Sequence, residues 1–134
     1  MVAYPAGRTG GYTIPDSVTS IVKGAFNNRT GLTSVTIPDS VTSIGEWAFY
    51  GCTGLTSVTI PASVTGIGSS AFSGCTGLTH ITVDTSNLFY RDIEGVLFNK
   101  NLHVLVAYPA RRTGSYTIPD SVTSIGSDAF ADCT

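Results

Sequence analysis

Three cysteines are the most reactive side chains in this sequence: Cys52, Cys75 and Cys133. The first two stand 23 residues apart, which invites a disulfide or a shared metal ion. A disulfide needs Cβ atoms that converge to about 3.5–4.5 Å. Zinc needs ligand pairs such as C-x2-C or paired histidines, and neither occurs. The two histidines, His80 and His103, have no nucleophile at a meaningful spacing, so no base–nucleophile–acid set can be assembled. Asp16, Asp39 and Asp120 each follow a proline in a repeated turn, where Asp typically bonds backbone amides. One carboxylate per repeat is too few for calcium. No glycine-rich stretch ends in Lys-Ser or Lys-Thr, so no phosphate loop is present. The expectation is a chain with no catalytic residue, no cofactor and no metal, its thiols buried as small apolar groups.

Trp47 and Tyr50 carry a different kind of chemistry. They lie three residues apart, and both types are enriched at the energetic centres of protein interfaces. Their equivalents in neighbouring repeats are Gly24, Ser70 and Asp128, and Asn27, Ser73 and Ala131, which mark exposed positions. A plainer reading has Trp47 lying over the next repeat as a cover.

The elements that position these residues follow from one period. Ile-Pro recurs at Ile14-Pro15, Ile37-Pro38, Ile60-Pro61 and Ile118-Pro119, the first three at a step of 23. Val18, Val41 and Val64 share that step, as do Ile21, Ile44 and Ile67, Phe26, Phe49 and Phe72, and Leu32, Leu55 and Leu78. Arg29 holds the position of Cys52 and Cys75 in the first repeat. Such self-similarity signals a solenoid, in which each coil buries its apolar side against its neighbours. Ser34-Val35-Thr36-Ile37 alternates as a strand does, and Pro38 ends it because proline cannot donate to a ladder. The stretch from Glu46 to Gly51 suits one helical turn. Val35, Ile37, Val41, Ile44, Phe49 and their equivalents are expected to be buried. Ser34, Thr36, Ser57 and Thr59 are expected on one open sheet face, with His80 and Thr82 extending the rows and Ser115 and Thr117 resuming them.

The boundaries are one domain, 1–134, with repeats at about 8–30, 31–53, 54–76, 77–110 and 111–134, the last incomplete. From 84 to 110 the register breaks into a strand-rich insertion. Asn87–Tyr90 and Gly95–Phe98 read as strands around Arg91–Glu94, and Leu102–Ala107 as another. Ile81 to Tyr116 spans 35 residues, or 23 + 12, which predicts a short coil here. Val2–Ile21 also matches Val106–Ile125 with two differences, so the chain reads as a piece of a longer array with uncapped ends that favour self-association.

Coils such as GLTSVTIPDSVTSIGEWAFYGCT (Gly31–Thr53) resemble the BspA-like leucine-rich repeats. The segment YRDIEGVLFNKNLHVLVAYPARRTGSYTIP (Tyr90–Pro119) is similar to that family's strand-rich insertion. The resemblance implies a leucine-rich-repeat solenoid: a parallel β-sheet on the concave side, short helical turns and loops on the convex side, and one strand-rich insertion. It implies an extracellular or cell-surface protein of bacteria, or of some parasitic protists, that adheres to host matrix proteins or to other cells. The family has no shared catalytic motif.

Composition narrows the partners. Only 12% of residues are charged and the net charge is −2, so no basic field for nucleic acid or anionic lipid exists. No apolar run approaches the roughly 20 residues that span a bilayer, and no signal peptide opens the sequence. The expected partner is a protein of the extracellular matrix or of another cell surface, met by Trp47 and Tyr50 or by the row Ser34, Thr36, Ser57, Thr59, His80 and Thr82. A stalk spacer, and an ice or crystal-surface binder using the hydroxyl rows, are the alternatives.

Overall fold

Alternation of Ser and Thr with Val and Ile makes each coil begin as a strand, and the 23-residue step sets those strands side by side. The computed structural model describes residues 10–133. The first copy of the longer repeat, as far as residue 9, and the expected raw end at Val2-Ala3-Tyr4 lie outside them. Four strands pair in parallel into one sheet: β1 (Gly10–Thr13), β3 (Leu32–Thr36), β5 (Ser57–Ile60) and β7 (His80–Val83). The register aligns Gly11, Ser34, Ser57 and His80 in one row, and Tyr12, Val35, Val58 and Ile81 in the next. After each strand the Ile-Pro step turns the chain. Val18, Val41, Val64 and Val122 donate to the carbonyls of Pro15, Pro38, Pro61 and Pro119. The Asp carboxylates expected to close these turns stay exposed, because the proline carbonyl already does it.

A second parallel sheet follows, from β2 (Ser20–Ile21), β4 (Ser43–Ile44) and β6 (Gly66–Ile67). Here the coils approach closely. A Cβ on Gly45 would lie 2.6 Å from the Lys23 backbone nitrogen, so only glycine fits. Threonine hydroxyls reinforce the stack from outside: Thr42 and Thr65 donate to the carbonyls of Thr19 and Thr42, and Thr56 and Thr79 to those of Thr33 and Thr56.

The expected helical turns do not form; the described residues contain no helix. The reason is visible in coil two. Trp47, Phe49 and Gly51 donate to Ser69, Ala71 and Ser73 of the next coil, while Ala48, Tyr50 and Cys52 donate three residues back. Every second amide is thus spent between coils. Trp47 (φ 57°) and Gly51 (φ 73°) are also left-handed, which breaks a right-handed helix.

Inside, Phe49 is sandwiched between Phe26 (5.0 Å, 9° between planes) and Phe72 (5.5 Å, 2°). Val35, Ile37, Val41, Ile44 and Phe49 are buried as expected, and burial of each such side chain contributes about 1.5–3 kcal/mol. Val18 and Ile67 are only partly covered.

Coil four differs. Asn87 takes the Val64 position and is fully buried. It donates to the Pro61 and Val64 carbonyls and accepts from Phe89 and Tyr90, which satisfies the whole amide. That clasp holds 87–89 out of the strand expected there. The first inserted strand is instead β8 (Tyr90–Ile93), joined to β9 (Val96–Asn99) by the tight turn Glu94-Gly95, both left-handed. Arg91–Ile93 are therefore strand and not loop. All of Val96, Leu97 and Phe98 are buried, because β9 divides two cores: Leu97 packs into the first, Val96 and Phe98 into the second. β10 (Val104–Ala107) then pairs in parallel with β11 (Ser124–Ile125), as β4 does with β6. The insertion thus enlarges coil four, and the coil after it is shorter, Val104 pairing with Ser124 at a step of 20 against 23 between β4 and β6.

The hairpin also ends the first sheet. Ile81 donates to the Gly95 carbonyl and Val83 to Asp92 Oδ1, so the outer edge of β7 is occupied. Tyr116-Thr117-Ile118 consequently form no strand, and Ser115 and Thr117 do not extend the hydroxyl rows.

Candidate partner-binding surface

The turn after β4 places two aromatic rings in solvent. Trp47 is 43% and Tyr50 41% exposed, their ring centroids 6.4 Å apart and tilted by 56°. Lys23 Nζ sits 4.8 Å from the Trp47 ring centroid and 3.1 Å from Glu46 Oε1. The ion pair is open to water and contributes about 0–1 kcal/mol.

Backbone geometry sets Trp47 apart. Gly24 (φ 68°), Ser70 (φ 58°) and Asp128 (φ 58°) share its position and its left-handed conformation. That conformation costs an L residue about 1–2 kcal/mol, and it suits Gly and Asp far better than a bulky ring. The fold does not ask for tryptophan here. The Trp47 ring lies beside the neighbouring coil, with Lys23 Nζ over it and Asn27 and Asn28 next to it.

Around the rings lies a hollow of about 380 Å³ bounded by Asn27, Asn28, Trp47, Tyr50 and Asp128. Ser70 donates to Asp128 Oδ2 at 2.8 Å. Asn27 Oδ1 is shielded from solvent and has no hydrogen-bond partner. Sequence reasoning found the two rings and missed their polar surround. The signal was present in part: Asn28 occupies the position of Gly51 and Gly74, and Asn is the residue that best tolerates a glycine's left-handed backbone.

The sheet-face candidates are brought together on the opposite side of each coil. Ser34, Thr36, Thr59, His80 and Thr82 are exposed; Ser57 is half-buried, contrary to expectation, because it is flanked in register by both Ser34 and His80. His80 Nδ1 lies 3.0 Å from Thr79 Oγ1, and its Cβ rests against the hairpin turn at Gly95. The Ser34–Ser57–His80 row is thus bounded by Gly11 at one end and the insertion at the other. A further apolar pair, Leu88 (79% exposed) and Phe89 (51%), projects from the Asn87 clasp.

Two of the three thiols are held inside, whereas Cys133 is only half-buried, contrary to expectation. Cys52 and Cys75 are free, and each donates at 3.0 Å to a Phe carbonyl of the preceding coil, Phe26 and Phe49. Burial pushes Cys52 up to about 11 and Cys75 up to about 12, so both remain neutral donors at physiological pH. Among the described residues no group of three or more His, Cys, Asp or Glu could hold a metal ion.

The sequence pattern described as BspA type leucine rich repeat region matches residues 11–134 in six copies. A leucine rich cell surface protein of Faecalibacterium prausnitzii is similar in structure, with a TM-score of 0.84 and 42% identity over 92% of this chain and 33% of its own. The pneumococcal vaccine antigen PcpA is similar at a TM-score of 0.83 and 29% identity, over 90% of this chain and 30% of its own. The leucine rich repeat protein TpLRR of T. pallidum follows at 0.62 and 27%, over 92% and 54%. The chain spans about a third of the length of the first two. Among curated proteins nothing matches.

Proposed function

The chain belongs to the BspA-type leucine-rich repeat family, and from that membership we propose that it is a non-catalytic adhesion module of a cell-surface protein, binding protein partners through a rigid repeat surface. One observation carries the choice of contact. Trp47 occupies a left-handed position that its neighbours fill with Gly, Ser and Asp, and it is exposed beside an exposed Tyr. Strained positions of this kind persist where function holds them. A rigid aromatic pair also offers large contact area at small entropic cost, as interface hot spots do. The non-catalytic reading is supported by the buried thiols of Cys52 and Cys75 being neutral and committed to main-chain carbonyls.

A binding screen against immobilised extracellular matrix proteins and intact cell surfaces tests the proposal. Retention of the chain, reduced at least about tenfold by Trp47→Gly, is the expected outcome; a hot-spot truncation of 2 kcal/mol or more gives about 30-fold. A stalk spacer would be retained by none of them, and Trp47→Gly would then change nothing.

A further inference from the structure

The ladder of amides that ties each convex turn to the next coil breaks between coils three and four. Coil one donates from Gly24, Phe26 and Asn28 to coil two, and coil two from Trp47, Phe49 and Gly51 to coil three. The matching amides of coil three, Ser70, Phe72 and Gly74, meet no acceptor among the described residues. They point the same way, because Ser70 (φ 58°) and Gly74 (φ 75°) repeat the left-handed conformations of Trp47 and Gly51. The cause is a shorter turn. Leu105 accepts from Gly126 as Ile44 does from Gly68, and Tyr108 donates to Ala129 as Phe49 does to Ala71. Between those anchors coil four takes three steps, from Leu105 to Tyr108, where coil two takes five, from Ile44 to Phe49. A cleft of about 280 Å³ stands where the missing residues would lie. Ser70 and Phe72 line it on one side, and Val104, Val106 and Ala107 on the other. Ile67 is left half-covered there, although Ile21 and Ile44 in its column are buried. Ser70 Oγ reaches past coil four to Asp128 Oδ2 of coil five. The stack of Phe26, Phe49 and Phe72 also stops at the cleft, and the next ring, Tyr108, packs on Tyr116 and Phe130 instead.

The chain itself shows what fits such an edge. Ser69, Ala71 and Ser73 offer their carbonyls to coil two, and the Phe72 ring stacks on Phe49 at 5.5 Å. An occupant of the open edge of coil three needs the same two features: carbonyls at alternate residues of its main chain, and an apolar ring beside Phe72. Addition of an extended chain to an unpaired edge is a recurring mode of peptide recognition, in which the main chain supplies affinity and a side-chain pocket specificity. We infer that the cleft between coils three and four is a docking site for an extended, phenylalanine-bearing peptide segment of a partner protein. Its carbonyls accept from the Ser70 and Phe72 amides, and its ring packs against Phe72, Ile67 and Val106. The site is separate from the Trp47–Tyr50 pair and does not depend on it.

The test titrates acetyl-Ser-Ser-Ala-Phe-Ser-amide, a copy of residues 69–73, into the isotopically labelled whole chain and reads backbone amide shifts by NMR. The expected result is a saturable movement of the Ser70 and Phe72 amides, at the millimolar or tighter affinity that so short a peptide supports. The amides of Phe26 and Phe49, already bonded to the Ala48 and Ala71 carbonyls, stay in place. Replacing the phenylalanine of the peptide by serine weakens binding at least about tenfold, since a buried ring is lost. Ala107→Leu, which narrows the cleft from the far wall, weakens it as much; the dispersion of the amide spectrum shows whether that variant folds. The comparison of the two peptides uses the unaltered chain and decides by itself if it does not. No saturable movement of the two amides overturns the inference, as does equal binding of the two peptides, or undiminished binding in folded Ala107→Leu. Retention on matrix proteins through Trp47 is read separately, so either site can fail while the other stands.

Discussion

Phe49→Ala should be the most costly single truncation in the ladder, and Phe72→Ala distinctly cheaper. Phe49 is fully buried and stacked on both faces, against Phe26 at 5.0 Å and Phe72 at 5.5 Å. Removing it deletes two near-parallel ring contacts and leaves a cavity between coils whose backbones are pinned at Phe49 N to Ala71 O and Phe26 N to Ala48 O. Those bonds prevent collapse, so the upper part of the range for Phe→Ala applies, about 4–5 kcal/mol. Phe72 is stacked on one face, and its other side borders a cleft of about 280 Å³ running to Tyr108 and Asp128. Water already reaches that side, so about 2–3 kcal/mol is expected. Urea unfolding followed by Trp47 emission measures both. Against a total of about 5–15 kcal/mol, Phe49→Ala should shift the midpoint by a large fraction. Equal costs for the two variants, or less than about 1 kcal/mol for Phe49→Ala, would refute the claim that stacked rings hold the coils together.

Asn87→Ala should cost about 3 kcal/mol, since it orphans the Val64 carbonyl, leaves the Pro61 carbonyl with Val64 N–H as its donor, and frees the amides of Phe89 and Tyr90; limited proteolysis should then cut near Leu88. Trp47→Gly should change stability by less than about 1 kcal/mol, because relief of the left-handed backbone offsets the lost Lys23 contact, and urea midpoints check it. The buried thiols give a pH dependence. Unfolded thiols ionise near pH 9, whereas Cys52 and Cys75 stay protonated in the fold to about 11 and about 12, so their contribution is complete below pH 9 and is lost as pH rises through 11–12. By pH 11 the loss is about 2–3 kcal/mol per thiol, and Cys52→Ala should remove its share of the slope; identical slopes would rule the mechanism out.

Much of this fold is legible because its period is. Val35, Ile44 and Phe49 recur at one step, and a residue that meets its own kind in the next coil has only one place to go. The turn conformation was less legible. Ala48-Phe49 within the stretch from Glu46 to Gly51 fits a helical turn locally, and only the demand of neighbouring coils for every second amide forbids it. The insertion was misregistered for a related reason. Asn87 looks like a strand start until its amide is seen bridging Pro61 and Val64, a contact 23 to 26 residues away. In the candidate site, Trp47 and Tyr50 stood out as departures from their columns. Asn27 and Asp128 did not, because they come from different coils and only the stacking brings them to one hollow.

Footprinting of the chain on a bound surface tests the central claim most directly. Hydroxyl-radical labelling of Trp47 and Tyr50, compared free and bound to a retaining matrix protein or cell surface, reads the contact residue by residue. The account predicts strong protection of both rings, with His80 on the sheet face labelled equally in the two states. Protection of His80 with Trp47 and Tyr50 unchanged would contradict it and move the contact to the opposite face.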